Sequence, residues 1–336
     1  MAVAHDTPAS GNATEPAGPP HRRPRLGYAQ VLAGALLFGL NAPMSKVVLD
    51  AGIAPARLAA LRATGAALVL FVVLLVFSPA RLRVRWRDLP SLAVLGLTAT
   101  ALIQWLYFVA IDRLPVGIAL LLEFTGPLMV AVWSQVVLRQ RQPRQVWLAL
   151  GLTLAGLALV AQVWHDAGLD PVGVAAGLAA AACLATFYLL GQRTIDERDP
   201  ISTSFWMFVF AAAFWAVAQP WWSFDPDVLA HHTSLLGTFD DVTVPVWLPL
   251  AWVVVLGTLA PYALEVTALR HLSATTCGVV ATIEPVVAAA AAWLWLDEVL
   301  STTQVIGGAV VLVGVVMVEA VRAPAPLPEP VAPGAA

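Results

Sequence analysis

Ten long apolar segments dominate this chain of 336 residues and constrain its fold more than any other feature. A helix needs about 20 mainly apolar residues to cross the hydrocarbon core of a bilayer. The runs are continuous and do not alternate between polar and apolar residues, so they predict helices and not the strands of a membrane barrel. The sequence therefore predicts an all-α integral membrane protein with ten transmembrane helices. The segments lie at 27–49, 55–77, 90–111, 114–137, 145–164, 172–191, 201–219, 246–269, 272–296 and 302–321.

The composition argues against the other main classes of protein. Hydrophobic residues make up 60% of the chain and charged residues 12%, whereas a soluble domain has about 25% charged residues. A net charge of −3 with 18 basic residues offers no basic surface for nucleic acid. No metal-binding or cofactor-binding pattern is recognised, and we predict neither.

Arginine residues are concentrated in the loops that follow every second segment. Basic residues mark the cytoplasmic side of a membrane protein, so this side is predicted to be cytoplasmic and both termini are predicted to lie there, in a multi-pass inner or plasma membrane protein. The proline- and alanine-rich ends, 1–25 and 322–336, are predicted to be disordered cytoplasmic tails. The basic residues on this side, 14 of the 18, are Arg22, Arg23, Arg25, Arg81, Arg83, Arg85, Arg87, Arg139, Arg141, Arg144, Arg193, Arg198, Arg270 and Arg322.

The chain contains an internal repeat with an offset of 158 residues. RLPVGIALLLEFTGP at 113–127 aligns with HLSATTCGVVATIEP at 271–285. The two repeats, 26–165 and 170–321, then hold five segments each. Because five is an odd number, the second repeat crosses the membrane in the opposite sense to the first. Such a 5+5 inverted-topology repeat around a mid-membrane site is the architecture of secondary transporters.

Three carboxylates fall inside predicted helices, where a charged side chain costs about 2.5–3.5 kcal/mol. They are Glu123 in the fourth segment, Glu265 in the eighth and Glu284 in the ninth. The repeat places Glu123 at the position of Ala281, which lies on the same helix face as Glu284. We therefore expect one acid from each repeat to face a common cavity, where it holds a substrate ammonium or exchanges protons. The alternative is a structural role, such as an ion pair between Glu265 and Arg270.

Two basic side chains also lie within predicted helices. Arg62 either binds a substrate carboxylate or pairs with an acid, whereas Lys46 is interpreted as structural because its stem reaches the interface. Several polar or amphipathic residues are candidates to line the same cavity, with interhelical hydrogen bonding as the alternative for each. These candidates are Asn41, Gln104, Tyr107, Tyr188 and Tyr262. Kinks or hinges are expected where proline leaves the carbonyl four residues earlier unbonded, at Thr125, Gly126, Pro127 and Pro285.

Several of these motifs resemble the EamA branch of the drug/metabolite transporter superfamily. GIALLLEFTGP at 117–127, APYALEVTALRHLS at 260–273 and the Glu284-Pro285 pair resemble bacterial threonine/homoserine exporters. FGLNAPMSK at 38–46 is more similar to the wider superfamily. The resemblance implies a central cavity between the repeats, with the fifth and tenth segments at the periphery, often at a homodimer contact.

These observations together predict a secondary-active exporter of small metabolites, such as the amino acids threonine and homoserine, that works by alternating access. Proton coupling through the buried acids is a further hypothesis. An importer or exchanger of another metabolite or drug is the main alternative, and a membrane-embedded enzyme is less favoured. The sequence lacks the H-E-x-x-H, G-x-S-x-G and P-loop motifs, so we predict that the protein is not an enzyme.

Overall fold

The computed structural model describes residues 23–111, 113–114, 116–163, 170–297 and 301–322, so the predictions made for most of both tails lie outside the described residues. Most of the described residues are helical. The helices are α1 Pro24–Asp50, α2 Pro55–Phe77, α3 Leu89–Gly96, α4 Ile103–Ile111, α5 Val116–Glu123, α6 Gly126–Val136, α7 Arg144–Ala161, α8 Pro171–Glu197, α9 Pro200–Ala218, α10 Trp247–Val254, α11 Ala260–Ala268, α12 Ala274–Ala281, α13 Glu284–Trp295 and α14 Thr302–Arg322.

Nine helical stretches within the described ranges are long and apolar enough to cross a membrane. A tenth apolar helix, Thr302–Met317, is shorter over its described side chains. Four of the spans consist of two helices each. In two of them a π-helical segment joins the helices: Leu97–Leu102 joins α3 to α4, and Val255–Leu259 joins α10 to α11. The spans formed by α5 with α6 and by α12 with α13 are each interrupted by two residues. The structure is therefore the all-α, multi-pass architecture that the sequence predicts.

Helix boundaries recur along the chain at the offset found in the sequence. Five elements of the first repeat and five of the second begin at positions 158 residues apart, including the π-helical segments and the helices after each interruption. These paired first residues are Leu89 and Trp247, Leu97 and Val255, Val116 and Ala274, Gly126 and Glu284, and Arg144 and Thr302.

The contacts between α7 and α14 occur in symmetry-related pairs, as expected for two helices related by a twofold axis. A Cβ atom on Gly156 would lie 2.8 Å from Cγ2 of Val311, and one on Gly314 would lie 2.7 Å from Cγ2 of Thr153. Since Gly156 and Gly314 are 158 residues apart, as are Thr153 and Val311, the second contact is the symmetry mate of the first. Small residues at this crossing let the two helices approach closely.

The first helix of each repeat packs against the other repeat. Helix α1 contacts α11 and α13, and α8 contacts α4, α5 and α6. Gly27 of α1 lies against Leu272, and Gly173 of α8 lies against Leu114, the residue 158 positions before Leu272. The packed units are therefore interleaved: one contains α1 with α10–α13, and the other contains α8 with α3–α6.

Ion pairs connect several loops at one end of the bundle, here named the arginine-rich end. Arg81 lies 3.6 Å and Arg270 lies 3.8 Å from the Asp199 carboxylate, while Arg198 lies 2.9 Å from Asp88. These residues follow the second, sixth and eighth segments, which the arginine pattern assigns to one side of the membrane. The structure thus brings these loops together.

The long loop between α9 and α10 covers part of the opposite end of the bundle. Arg57 at the start of α2 donates hydrogen bonds to the carbonyl of Gln219 at 3.0 Å and to Oγ of Ser223 at 2.7 Å. Within the loop, strand β1 (His232–Ser234) pairs in antiparallel fashion with β2 (Thr243–Pro245). The sequence did not reveal this hairpin, because three-residue strands are too short to show alternation.

Candidate functional site

A cavity of about 360 Å³ lies within the bundle, between the two interleaved units. Its volume is within the range of small-molecule sites in proteins. All nine residues proposed from the sequence as substrate- or proton-binding candidates are in its wall. They are Asn41, Arg62, Gln104, Tyr107, Glu123, Tyr188, Tyr262, Glu265 and Glu284.

The cavity extends toward the end of the bundle opposite the arginine-rich end. On α1 its wall runs from Phe38 to Leu49, close to the helix end at Asp50. On α2 it includes Leu58 and Arg62, within two turns of the helix start at that same end. The half of α1 nearest the arginine-rich end therefore contributes no residue to this wall.

Two of the three carboxylates flank the helix interruptions. Glu123 is the last residue of α5, and Glu284 is the first residue of α13. Helix ends leave backbone groups without intrahelical partners, so each interruption adds polar backbone atoms close to a carboxylate. The residues expected to form kinks lie at these interruptions: Thr125, Gly126 and Pro127 between α5 and α6, and Pro285 beside Glu284. The third carboxylate, Glu265 of α11, is 4% exposed.

None of these three carboxylates forms a hydrogen bond or an ion pair with another side chain in the part of the chain that the structure describes. The alternative ion pair between Glu265 and Arg270 is not formed, because Arg270 lies against Asp199 at the arginine-rich end. Glu284 also lies within electrostatic range of the Arg62 guanidinium in the same cavity wall.

Arg62 is bonded to the opposite repeat at a π-helical segment. Its Nε donates to Oγ1 of Thr258 at 2.7 Å, and its Nη2 donates to the Gly257 carbonyl at 3.1 Å. In the other π-helical segment, the Tyr262 hydroxyl donates to the Ala99 carbonyl at 2.7 Å. Ala99 and Gly257 are 158 residues apart, so each π-helical segment receives a hydrogen bond from the other repeat at the same position. Wide turns of this type occur frequently at functional sites.

Tyr262 also packs against aromatic side chains from three other helices. Its ring centroid lies 5.1 Å from that of Phe38, 6.0 Å from that of Phe187 and 5.6 Å from that of Phe208, each in an edge-to-face arrangement. Edge-to-face pairs stabilise such contacts beyond the area they bury. The cluster holds the Tyr262 hydroxyl in position at the cavity wall.

The cavity wall also includes Ser45 and Lys46, which sequence analysis did not propose as site residues. A signal for Ser45 is present in the sequence, since Asn41, Ser45 and Leu49 are four residues apart and share one face of α1. The Asn41 amide is positioned against the backbone of Gly257, where any Cβ atom would clash with Oδ1. A glycine at this position therefore permits the close approach of α1.

Two groups outside the membrane-spanning segments have shifted pKa values. The backbone N–H groups of Gly173 and Val172 donate to Asp170 at the start of α8, and these bonds lower the pKa of its carboxyl. Partial burial lowers the pKa of His271, and the neighbouring charges of Arg23 and Arg270 lower it further. We therefore expect Asp170 to be ionised and His271 to be neutral at physiological pH.

Comparison with known proteins places the chain in a family. The profile of the EamA-like transporter family matches residues 25–162 and 171–320, almost all of the described chain. The protein belongs to this family of membrane transporters, and the membership predicted from the motifs is confirmed.

Its relatives include named exporters. The threonine/homoserine exporter RhtA of Salmonella typhimurium (strain LT2) is 31% identical over 241 residues, covering 71% of this chain and 74% of its own. RhtA of Escherichia coli K12 is 30% identical over 247 residues, covering 73% and 76%. An uncharacterized transporter of Archaeoglobus fulgidus is 26% identical over 234 residues. A protein of known crystal structure superposes with a TM-score of 0.67 over 87% of this chain and 97% of its own at 19% identity, a likeness of fold alone.

Proposed function

We propose that the protein exports small amino acids, of the kind represented by threonine and homoserine, through the central cavity. The observation that carries this proposal is the group of three carboxylates, Glu123, Glu265 and Glu284, in one cavity wall without a hydrogen bond or ion pair to other described side chains. Ionisable groups within a membrane are costly and usually serve function. The ammonium group of an amino acid is a suitable cation for them. The names of the bacterial relatives support the same substrate class.

The proposed mechanism is alternating access between the two interleaved units. The arginine-rich end is the cytoplasmic end in this proposal, with both termini there, because positive residues favour that side. The described conformation then faces outward. The Arg270–Asp199 ion pair joins the units at the closed cytoplasmic end, and the interruptions beside Pro127 and Pro285 provide points where α5–α6 and α12–α13 can bend.

Proton coupling is part of the same proposal. A carboxylate holds an ammonium group only while it is ionised, so a proton and the substrate compete for the same oxygen atoms. Protonation from the outside would release the amino acid outward, and loss of that proton to the cytoplasm would restore the site. Glu284 and Glu123 are the main candidates, because each lies at a helix interruption in the cavity wall.

Efflux from proteoliposomes tests the function directly. Liposomes loaded with labelled threonine or homoserine should lose label faster with the wild-type protein than without protein, and faster still with an inwardly directed proton gradient. Glu284→Gln should lose the response to the gradient. Asp241→Asn, in an exposed part of the long loop, is the matched control and should behave as wild type. Wild-type efflux equal to that of empty liposomes would contradict the proposal.

A homodimer formed through α7 and α14 also belongs to this proposal. Both helices expose large apolar side chains away from their mutual contact, including Leu148, Val305 and Val316. Cysteine at position 148 should form a disulfide-linked dimer in membranes if two α7 helices meet. A cysteine at Leu68, which is exposed on α2, is the control and should not cross-link.

A further inference from the structure

Several contacts in the bundle occur in symmetry-related pairs, but the hydrogen bond from Tyr262 to the Ala99 carbonyl, 2.7 Å long, does not. The 158-residue offset relates the donor Tyr262 to Gln104. It relates the acceptor Ala99 to Gly257 in the same way. The corresponding bond from Gln104 to the Gly257 carbonyl is absent, because Gln104 forms no hydrogen bond with other described residues. The two units are therefore joined at one of these symmetry-related positions and not at the other.

The bond from Tyr262 lies in the closed half of the bundle, between the cavity and the arginine-rich end. Tyr262 is six residues before the end of α11 at Ala268, which leads into the arginine-rich end. The three phenylalanine rings that surround Tyr262 pack at the same level. Since Tyr262 belongs to one interleaved unit and Ala99 to the other, their bond helps to close this side of the cavity.

Gln104 lies in the open half of the bundle. It is seven residues before the end of α4 at Ile111, which is at the opposite end from the arginine-rich end. Its half-buried side chain lines the cavity, and a glutamine amide carries two N–H donors. Gln104 is therefore a donor without a protein partner among the described residues, on the side of the cavity that is open.

The Gly257 carbonyl has room for a further donor. Pro261, four residues later, has no N–H group and cannot bond this carbonyl within the helix. The Arg62 Nη2 atom donates to it at 3.1 Å, and a carbonyl oxygen has two lone pairs. Gly257 and Gln104 belong to different units, so a bond between them would join the units across the open half.

Alternation of access explains why only one bond of the pair is formed. In inverted-repeat transporters one unit rocks against the other around a fixed site. Because the offset relates the two units to each other, a contact that closes one side of the cavity has its symmetry mate on the other side. That mate forms when the other side closes.

We propose that Gln104 is a positioning residue of the transport cycle, whose amide donates to the Gly257 carbonyl when the cavity is closed to the outside. This inference rests on the proposed function, in which the described conformation faces outward. The bond from Tyr262 to Ala99 breaks in the same movement, so each conformation has one bond of the pair. Because glutamine is shorter than tyrosine, α4 must approach the π-helical segment of the other unit closely.

The rates of cysteine labelling from the two sides of the membrane test this proposal. Ala288 lines the cavity, and its symmetry mate Val130 is fully buried. Two proteins are compared, each with Cys183 and Cys277 replaced and with one new cysteine. A membrane-impermeant maleimide should label Ala288→Cys from outside when the cavity faces outward, and Val130→Cys from the cytoplasmic side when it faces inward. The ratio of the two rates, measured without substrate, reports the balance between the conformations.

Loss of each donor should move this ratio in opposite directions. Gln104→Leu should raise the ratio of outward to inward labelling by about three- to tenfold, the effect of one hydrogen bond within a membrane. Tyr262→Phe should lower it by a similar factor, and the double variant should return toward the wild-type ratio. Gln135→Leu, the same substitution at an exposed position of α6, is the matched control and should leave the ratio unchanged.

Each outcome has a separate meaning. An unchanged or lowered ratio in Gln104→Leu overturns the role of Gln104. Gln104→Met, which has similar length and no donor, is judged by the same criterion if the leucine variant does not fold. A purely structural role would lower stability without shifting the ratio. Absence of threonine and homoserine efflux from wild-type proteoliposomes overturns the proposed function, whereas the labelling ratio needs no substrate and tests Gln104 separately.

Discussion

Replacing Tyr262 by phenylalanine removes the hydroxyl group that forms a hydrogen bond between the two repeats. The hydroxyl donates to the Ala99 carbonyl at 2.7 Å, and the residue is 7% exposed. The ring contacts with Phe38, Phe187 and Phe208 remain, so neither shape nor apolar burial changes. The variant loses one hydrogen bond and leaves one buried carbonyl without this partner. Interhelical bonds in membranes contribute roughly 0.6–1.7 kcal/mol, and the short, buried geometry supports a loss of about 1–1.5 kcal/mol.

The free energy of unfolding, measured by titrating sodium dodecyl sulfate into detergent micelles that hold the protein, provides the assay for Tyr262→Phe. Tyr188→Phe is the matched control, because Tyr188 is 1% exposed and its hydroxyl forms no hydrogen bond with other described residues. We expect the control to change stability by less than about 0.5 kcal/mol. Equal losses in the two variants, or no loss in Tyr262→Phe, would refute the cross-repeat bond as a stabilising contact.

Three further substitutions test other parts of the structure. Gly257→Ala places a methyl group against the Asn41 amide, and the resulting overpacking should cost about 1–3 kcal/mol in the same unfolding assay. Asp88→Asn removes the charged partner of Arg198, whose side chain is 12% exposed, and should cost about 1–2 kcal/mol. The folded pKa of His271 is below its usual value, so the unfolded state binds more protons near pH 6 and stability falls as the pH falls through that range. The melting temperature should therefore drop less between pH 7.5 and 5.5 in His271→Gln than in the wild type.

Much of the site could be predicted from the sequence because its chemistry is unfavourable in a membrane. Glu123, Glu265 and Glu284 can be recognised in the sequence, since a carboxylate in hydrocarbon is unfavourable in free energy and usually serves a function. The 158-residue offset then relates the helices that carry Glu123 and Glu284, and the two residues are found in one cavity wall. These inferences need only the depth of a residue in its helix, the helical spacing and the internal repeat, all of which are present in the amino-acid sequence itself.

Other features depend on tertiary packing that a single sequence does not encode in a readable pattern. The π-helical segments add one residue to a turn without changing the hydrophobicity of the chain. In the sequence, Leu97–Leu102 and Val255–Leu259 therefore cannot be distinguished from an ordinary α-helix. The bonds of Arg62 to Thr258 and Gly257 span more than 190 positions. The packing of α1 and α8 against the opposite repeat could not be predicted from the sequence either. The residues that pack α1 against α11 are as apolar as residues that would face lipid. The place of Lys46 in the cavity wall could not be predicted either, since its depth in the helix does not reveal the cavity beside it.

Accessibility of the cavity to water and substrate tests the central claim most directly. Ala42 lines the cavity as an exposed residue, and Ala42→Cys in a variant with Cys183 and Cys277 replaced provides a single thiol there. A membrane-impermeant maleimide added outside intact cells should label this thiol, and saturating threonine should slow the labelling. Cysteine at Asp241, in the exposed long loop at the same end of the bundle, should be labelled at a rate that threonine does not change. Two results would contradict a substrate cavity within the bundle. In the first, the reagent does not label position 42 from either side of the membrane; in the second, threonine does not change the labelling rate.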